Sequence, residues 1–289
     1  MRATDMPAPQ RPQSAALTTN DGLRLRTLAW PAVGPVRAAV LLVHGFGEHA
    51  GRYDGVARAL GAAGVAAYAL DHRTHGASDG SPRVYLTDAE LVSDDLALLW
   101  ARLRREHPAR PAFLYGHSMG AYFALHLALR APEGLAGVVT SGAPLTMDRE
   151  IPPRLLRLAR VVAFLAPCLP LVPLDLDAIS RDPAVVAAYQ ADPLVHAGRI
   201  RARMAGRIGV TLEALRARLP ELRVPLLALH GGADRVVPPS GSRWLHEHAG
   251  SPDKTLRIYD GLFHEVHHEP EREQVLADVV AWLLARCGG

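Results

Sequence analysis

The feature that most constrains this sequence is the pentapeptide Gly116-His117-Ser118-Met119-Gly120, which separates two apolar segments of different periodicity. Residues 111–115 form a short apolar run that is typical of a buried strand, and residues 121–130 repeat apolar side chains at helical spacing. The serine therefore lies on a sharp turn from a strand into a helix, where glycine is needed because side chains would collide. The pattern predicts a nucleophile elbow, which holds a serine hydroxyl above the end of a sheet.

The rest of the chain alternates buried strands with helices on both sides of this turn. Strands that are buried on both faces and alternate with helices predict a parallel sheet, with functional loops at the carboxyl ends of the strands. Residues 23–30 alternate apolar with polar side chains and predict an antiparallel edge strand. The runs that predict buried strands are residues 36–43, 65–70, 135–140 and 224–229, and a further short strand is predicted at residues 255–259.

The alternation stops between residues 145 and 223, where helix-like stretches at 154–166 and 183–189 are broken by prolines and no convincing strand is found. This interruption predicts a helical cap that is inserted into one sheet domain. The N-terminal residues are proline-rich and lack an apolar segment, so they predict a mobile tail and no secretory signal. We therefore predict a tail over residues 1–16, a core over residues 17–144 and 224–289, and a cap over residues 145–223.

Composition narrows the classes of function. The chain has 289 residues, of which 49% are hydrophobic, so it can bury one large core. Its formal net charge of +3 is spread over scattered arginines, which argues against a nucleic-acid-binding surface. The two cysteines, Cys168 and Cys287, have neither metal-binding nor redox spacing. These features predict a cytoplasmic protein that binds no nucleic acid and needs no cofactor, and they leave the oligomeric state open.

Two further residues stand where a serine nucleophile needs them. A serine hydroxyl is a weak nucleophile unless a base lies within hydrogen-bond reach and an acid orients that base. Asp234 follows a buried strand, and His264 follows the next strand along the chain. The order serine, aspartate, histidine on strand-end loops is the order that an elbow of this kind requires. We predict a catalytic triad of Ser118, Asp234 and His264.

An oxyanion hole completes this chemistry. The negative charge that develops on the substrate oxygen requires fixed N–H donors. One predicted donor is the backbone N–H of Met119, which begins the helix after the elbow. The other is the backbone N–H of Phe46, in the loop His44-Gly45-Phe46 that follows an earlier strand.

A competing motif lies at the predicted catalytic histidine. The stretch His264-Glu265-Val266-His267-His268 matches the zinc-protease pattern His-Glu-x-x-His. Zinc binding would require both histidines on one face of a continuous helix. Gly261 and Pro270 leave little room for such a helix, so we predict no metal site and assign the loop to the triad.

Several motifs in order resemble the monoacylglycerol lipases, a family of serine hydrolases that includes lysophospholipases. They are HGFGEHAGRY at residues 44–53, DHRTHGASD at 71–79, GHSMG at 116–120, ADR at 233–235, and His264. The resemblance runs from about Leu17 to the C-terminal helix. It implies an α/β-hydrolase fold, the same three triad residues, a cap that forms an acyl-chain tunnel, and Tyr189 at the glycerol end of the substrate.

Two positions depart from the family pattern. Thr74 stands where glycine is usual, and Ala121 stands where a third elbow glycine is common. Neither change removes a catalytic group, so both bear on the substrate range rather than on hydrolysis. The threonine is expected to shift a loop below the site.

The cap supplies an independent argument for a lipid substrate. Residues 155–165 carry more apolar side chains than one packed face can hold, and residues 167–174 continue this composition. Such a segment either packs inside or presents apolar surface to acyl chains and membranes. Arg154, Arg157 and Arg160 recur at helical spacing beside it, so we expect peripheral membrane contact through the cap.

The predicted function is hydrolysis of monoacylglycerols to fatty acid and glycerol through an acyl-enzyme. A general carboxylesterase, a lysophospholipase and a thioesterase use the same triad and stay open as alternatives. A non-catalytic binding protein on this fold is the remaining class, but a binder has no need of a triad and an oxyanion loop in register. Acyl-chain length and positional preference are not encoded in any motif.

Overall fold

The computed structural model describes residues 11–86, 88–130, 133–146 and 161–287. The helices within these ranges are α1 (Asp54–Ala62), α2 (Ala89–Glu106), α3 (Met119–Ala128), α4 (Pro183–Ala191), α5 (Ala202–Arg218), α6 (Ser240–His248) and α7 (Arg272–Leu284). The strands within these ranges are β1 (Gln13–Thr18), β2 (Arg24–Trp30), β3 (Ala38–Val43), β4 (Val65–Leu70), β5 (Ala112–His117), β6 (Leu135–Ser141), β7 (Pro170–Val172), β8 (Ile200–Arg201), β9 (Leu226–Gly231) and β10 (Lys254–Tyr259). Short 3-10 turns lie at Ala50–Tyr53, Leu176–Ala178, Leu219–Glu221 and Val266–His268.

One sheet organises the molecule, with strand order β1-β2-β4-β3-β5-β6-β9-β10. The pairs β1–β2 and β2–β4 are antiparallel, and every other neighbouring pair is parallel. Every residue of β3, β4, β5 and β9 is buried, because helices cover both faces of the sheet. Helices α2, α3, α5 and α6 pack on one face, and α1 and α7 pack on the other. The predicted α/β-hydrolase architecture, a mostly parallel sheet flanked by helices, is confirmed.

The N-terminal segment differs from the prediction. Residues 13–16 were expected in a mobile tail, but Gln13–Thr18 form β1 and pair with β2 from Gln13–Ala29 to Thr18–Arg24. This strand is therefore the edge, and β2 is the second strand of the sheet. The prediction was wrong because β1 is held by backbone hydrogen bonds while most of its side chains are exposed, so no apolar pattern marks it. Residues 1–10 of the predicted tail lie outside the described residues.

The predicted cap region also contains elements that the sequence did not reveal. Strands β7 and β8 form a small antiparallel ribbon, so the expectation of no strand there was wrong. The ribbon is too short to produce a visible alternation. Helix α5 was missed as well, because its glycines and β-branched residues weaken the helical pattern. Residues 161–165 are helical, whereas residues 147–160, with most of the helix predicted at 154–166, lie outside the described residues. The boundaries of the cap stay predictions.

No helix in the described part of the chain is both long enough and apolar enough to cross a membrane.

The elbow shows why its glycines are required. A Cβ atom on Gly120 would lie far inside van der Waals distance of the Val43 carbonyl oxygen, and one on Gly116 would meet the Gly120 carbonyl oxygen. These oxygens belong to the backbone and cannot move aside. Strand β5 and helix α3 are thus packed at backbone distance, and the turn between them is fixed in space.

Candidate active site

Ser118 occupies the turn between β5 and α3 in a strained conformation. Its φ angle is +53° and its ψ angle is −123°. Non-glycine residues rarely adopt positive φ, and where they do the surrounding structure must hold them there. Here the Ser118 N–H donates to the Ser141 carbonyl oxygen at 2.8 Å, and the Ala121 N–H donates to the Ser118 carbonyl oxygen at 2.9 Å. The backbone on both sides of the serine is thereby fixed.

The other two predicted triad residues are brought together. Asp234 lies in the loop after β9, and His264 lies in the loop after β10. His264 Nδ1 donates to Asp234 Oδ2 at 2.6 Å. Asp234 Oδ1 accepts the backbone N–H groups of Val236 and Val237 at 2.8 and 2.9 Å. The aspartate thus fixes the tautomer of the histidine and leaves its Nε2 free to act as a base.

Each member of this pair alters the pKa of the other. Burial alone would raise the pKa of Asp234, but the nearby His264 and the hydrogen bonds from His230 and His264 hold this pKa well below its usual range. Burial alone would lower the pKa of His264, but the Asp234 carboxylate raises it above its usual value. The site therefore stabilises a positively charged imidazole, which is the form that exists once the base has taken a proton from serine.

Two cavities meet at Ser118. The larger has a volume of about 230 Å³, and the smaller has a volume of about 50 Å³. Phe46, Ser118, Leu174 and Val236 line both. His264 lines the smaller cavity together with Ser118. In this conformation no hydrogen bond within the described residues joins the serine hydroxyl to the imidazole, as is common before substrate binds.

The predicted oxyanion donors are adjacent to the serine. Phe46 and Met119 both line the large cavity beside Ser118. Within the described residues neither backbone N–H donates a hydrogen bond to another protein group. Met119 is the first residue of α3, where backbone N–H groups have no intrahelical acceptor and the helix dipole favours negative charge. Both groups are therefore available to a substrate oxygen.

The large cavity is apolar along most of its wall. Its lining residues come partly from loops and helices at the edge of the sheet and partly from the segment between residues 170 and 212. Leu174, Ile200, Met204 and Leu212 supply the apolar side chains of that second part, which also includes Arg207 and Thr211. A cavity of this composition favours a hydrocarbon chain, because burying each methylene contributes about 0.8 kcal/mol.

An ion network lies beside the small cavity, whose wall combines polar with apolar side chains. Glu48, Tyr189 and Glu265 line this cavity. Arg52 Nη1 donates to Glu48 Oε2 and to Glu265 Oε1, both at 2.6 Å, and Arg52 Nη2 donates to Glu265 Oε2 at 2.7 Å. The guanidinium lies 4.4 Å from the centre of the Tyr189 ring. Although burial alone would raise the pKa of Glu265, Arg52 lowers it well below its usual range.

Glu48 connects this network to the oxyanion loop. Its Oε1 accepts the Gly45 N–H at 2.6 Å and the Tyr53 hydroxyl at 2.8 Å. A Cβ atom on Gly45 would lie 3.3 Å from Ser118 Cβ, so the loop passes close to the nucleophile. Sequence reasoning gave no role to Glu48 and Arg52. Their spacing of four residues, directly after a glycine-rich strand end, is the feature that could have indicated them.

The zinc-protease pattern is used differently in the structure. Val266–His268 form only a 3-10 turn, so the continuous helix that zinc binding would require is not formed. Glu265 pairs with Arg52, and His268 has Glu265 Oε2 at 2.8 Å from Nδ1 and the Arg52 carbonyl oxygen at 3.0 Å from Nε2. Across the described ranges, no group of three or more histidine, cysteine or acidic residues is arranged to hold a metal ion.

A family model, two curated relatives and a solved structure each match most of this chain. Residues 34–271 match the Hydrolase_4 family, described as serine aminopeptidase, S33. A monoacylglycerol lipase from Mycolicibacterium smegmatis is 41% identical over 91% of this chain and 94% of its own length. The human monoglyceride lipase is 33% identical over 93% of this chain and 90% of its own length. The crystal structure of Paleococcus ferrophilus monoacylglycerol lipase superposes with a TM-score of 0.76 at 31% identity, covering 96% of this chain and 100% of that one.

Proposed function

Because the chain belongs to the monoacylglycerol lipase family of serine α/β-hydrolases, we propose that it hydrolyses monoacylglycerols to a fatty acid and glycerol. The observation that carries the proposal is the position of Ser118 where a large apolar cavity meets a smaller one whose wall also carries the polar side chains of Glu48, Tyr189 and Glu265. A monoacylglycerol has the same division, since its ester joins a hydrocarbon chain to a small polyol.

We propose that Ser118 attacks the ester carbonyl while His264 Nε2 takes the hydroxyl proton. The resulting imidazolium is stabilised by Asp234. The carbonyl oxygen becomes negative and is bound by the N–H groups of Phe46 and Met119. His264 then returns the proton to the glycerol oxygen, the ester bond breaks, and an acyl-enzyme is left. A water molecule, deprotonated by His264, repeats the sequence and releases the fatty acid and Ser118.

The two cavities support an assignment of the two ends of the substrate. The acyl chain extends into the large cavity, and glycerol occupies the small cavity near Glu48 and Tyr189. The hydroxyl of Tyr189 is the group that we assign to the glycerol end, because this side chain is buried, lines the small cavity and is held against Arg52.

Narrowing the large cavity tests the substrate class. Met204 lines it and is 7% exposed. We expect Met204→Trp to exclude about three methylenes, at about 0.8 kcal/mol each, and so to lower kcat/KM on a long-chain monoacylglycerol roughly 50-fold. Turnover of a butyrate ester should stay within about threefold, because a short chain does not reach the substituted position. Both rates are measured on the same preparation.

Arg203→Trp is the matched control, because Arg203 is exposed on the same helix. It should alter neither rate. Equal losses on long and short esters in Met204→Trp would contradict the assignment of the large cavity to the acyl chain. In the wild type, faster turnover of lysophosphatidylcholine or of an acyl thioester than of monoacylglycerol would favour the corresponding alternative.

We also propose that the cap contacts the membrane in which the substrate resides. Phe164 is 79% exposed and Leu165 is 73% exposed, and the apolar side chains of Val161, Leu169 and Val172 are exposed nearby in the chain. Arg199 and Arg201 adjoin this apolar surface through hydrogen bonds to the carbonyl oxygens of Leu171 and Cys168. Apolar side chains beside arginines favour an anionic lipid surface. The predicted stripe of Arg154, Arg157 and Arg160 lies outside the described residues.

Vesicle co-sedimentation tests this contact. We expect the wild type to bind phosphatidylglycerol vesicles, and Phe164→Ser with Leu165→Ser to reduce the bound fraction at least about fivefold, because the two most exposed apolar side chains of this surface are removed. Hydrolysis of a water-soluble short ester should be unaffected. Val33→Ser removes an exposed apolar side chain outside the cap and should bind as the wild type does. Binding that survives the double substitution would contradict the proposed contact.

A further inference from the structure

His230 is a second histidine beside the aspartate of the proposed triad. It lies near the end of β9 and is completely buried. Its Nε2 is 3.1 Å from Asp234 Oδ2 and 3.0 Å from the Val237 carbonyl oxygen. Its Nδ1 is 2.7 Å from the hydroxyl oxygen of Ser242, which lies in α6 and is also completely buried. None of the steps described above uses this side chain.

The neighbours of His230 determine which nitrogen carries the proton. Both atoms that face Nε2 are acceptors, one a carboxylate oxygen and the other a carbonyl oxygen. Nε2 must therefore carry a hydrogen, which these two oxygens share. In the neutral ring Nδ1 is then an acceptor, and the Ser242 hydroxyl donates to it. The chain of donors runs from Ser242 through His230 to Asp234.

Asp234 is saturated by this arrangement. Its Oδ2 accepts from His264 Nδ1 at 2.6 Å and lies 3.1 Å from His230 Nε2, while two backbone N–H groups bind Oδ1. Three hydrogen bonds and the close approach of His230 surround one carboxylate, so the group cannot rotate without losing hydrogen bonds. Apart from His264 itself, His230 is the side chain that contributes to this fixation among the described residues.

We propose that His230 is a positioning residue for the acid–base pair, holding Asp234 Oδ2 in line with His264, and that Ser242 fixes its tautomer. The inference deepens the proposed function and rests on it, because it assumes that Asp234 and His264 act in ester hydrolysis. It assigns His230 no contact with substrate.

The hydrogen bond from His230 also controls how basic the aspartate is. A donor to the ionised form of a carboxylate lowers the pKa of that carboxylate, so removing His230 makes Asp234 more basic. A more basic Asp234 raises the pKa of His264 further. Because His264 acts as a base only when neutral, the acidic limb of the kcat/KM profile moves to higher pH. Structural damage alone would not move this limb.

The other groups that face His264 are unchanged by this substitution. Glu265 and Glu48 also raise the pKa of His264, and both stay bonded to Arg52. The His117 ring lies 4.7 Å from the His264 ring, and burial lowers the pKa of His117 well below its usual value, so it adds no charge. A shift of the acidic limb on replacing His230 therefore reports on the bond to Asp234.

The test compares His230→Leu, His230→Gln and Ser242→Ala on a water-soluble short-chain ester, with rates divided by the fluorophosphonate-titrated active enzyme. For His230→Leu we expect kcat to fall about 10- to 100-fold with KM within about twofold. We expect the apparent pKa of the acidic limb of its kcat/KM profile to increase by about half a pH unit. The His230→Gln variant should keep kcat within about fivefold of the wild-type value. The acidic limb of its kcat/KM profile should not move, because the glutamine amide N–H can donate to Asp234. Ser242→Ala should be intermediate.

A normal kcat and an unshifted limb in His230→Leu would overturn the inference, as would equal damage in the leucine and glutamine variants. If the leucine variant does not fold, nitrogen-15 NMR of the wild-type histidines decides: a proton on Nε2 supports the proposal, and a proton on Nδ1 overturns it. Monoacylglycerol is assayed in parallel. An enzyme that cleaves the short ester but not monoacylglycerol contradicts the proposed substrate, while the His230 comparison keeps its meaning.

Discussion

Ser118→Ala is expected to lower kcat for ester hydrolysis by about 10⁴- to 10⁶-fold, with the free energy of unfolding almost unchanged. Without the hydroxyl no acyl-enzyme can form, and His264 has no nucleophile to activate. The N–H groups of Phe46 and Met119 stay in place, so a small residual rate by direct attack of water is expected. Steady-state kinetics on a long-chain monoacylglycerol measures this loss, and chemical denaturation checks the fold.

Ser240→Ala is the matched control for this substitution. Ser240 begins α6 and shares a hydrogen bond with the Thr146 hydroxyl at 2.6 Å, outside the triad. Loss of that bond costs about 1 kcal/mol of stability and should leave kcat within about twofold. A Ser118→Ala variant that retains more than about one hundredth of the wild-type kcat would remove Ser118 from the mechanism.

Arg52→Met is expected to lower the free energy of unfolding by about 3–5 kcal/mol at pH 7, because it leaves Glu48 and Glu265 buried without their cation. Arg52 holds the pKa of Glu265 below its ordinary value, so this pairing stabilises the fold above that value and is lost on acidification. In the variant, burial raises the pKa of Glu265 instead, and protonation relieves the penalty. The difference in stability between wild type and variant should therefore shrink from pH 7 toward pH 4.

Two comparisons isolate the buried charge. Arg58→Met removes an ion pair with Asp54 in which both side chains are more than one third exposed, and it should cost at most about 1 kcal/mol. Arg52→Met combined with Glu48→Gln and Glu265→Gln should recover most of the loss, because no unpaired charge is left. An Arg52→Met protein that is as stable at pH 7 as Arg58→Met would show that the network is not closed to solvent.

The local order of motifs was sufficient to locate the candidate site. Ser118, Asp234 and His264 were each placed by one kind of reasoning, namely that a polar residue directly after a buried parallel strand lies at the carboxyl edge of the sheet. That reasoning works for Ser118 and Asp234 because β5 and β9 are fully buried, whereas β10, which precedes His264, is only partly buried and is marked by its position after β9 in the chain. The glycines of the elbow could be interpreted in the same way, since backbone contact between strand and helix excludes any side chain.

Elements held mainly by backbone or long-range contacts could not be predicted. Strand β1 is exposed along most of its length, and the β7–β8 ribbon has too few residues to show alternation. The pairing of Arg52 with Glu265 joins residues 213 positions apart, and nothing near either residue specifies its partner. Likewise, His230 could not be connected to Asp234 without the geometry of the loop between them.

Thr74 shows how a local expectation is modified by its surroundings. A β-branched residue stands at a position that favours glycine, and its φ angle is +68°. The expected shift of the loop stays a prediction. The Thr74 hydroxyl accepts the Tyr85 N–H at 2.9 Å, and the Thr74 carbonyl oxygen accepts the Val84 N–H at 2.9 Å. These hydrogen bonds offset the strain, so the threonine is held as part of the loop structure.

The most direct test of the account is intact-mass spectrometry during stepwise labelling with a fluorophosphonate, with monoacylglycerol turnover measured on the same samples. We predict a single adduct, located on the peptide that contains Ser118 and missing in Ser118→Ala. Turnover of long-chain monoacylglycerol should fall in proportion to the labelled fraction. Fully labelled protein that still hydrolyses monoacylglycerol, or folded and active protein that takes no label, would contradict the serine mechanism.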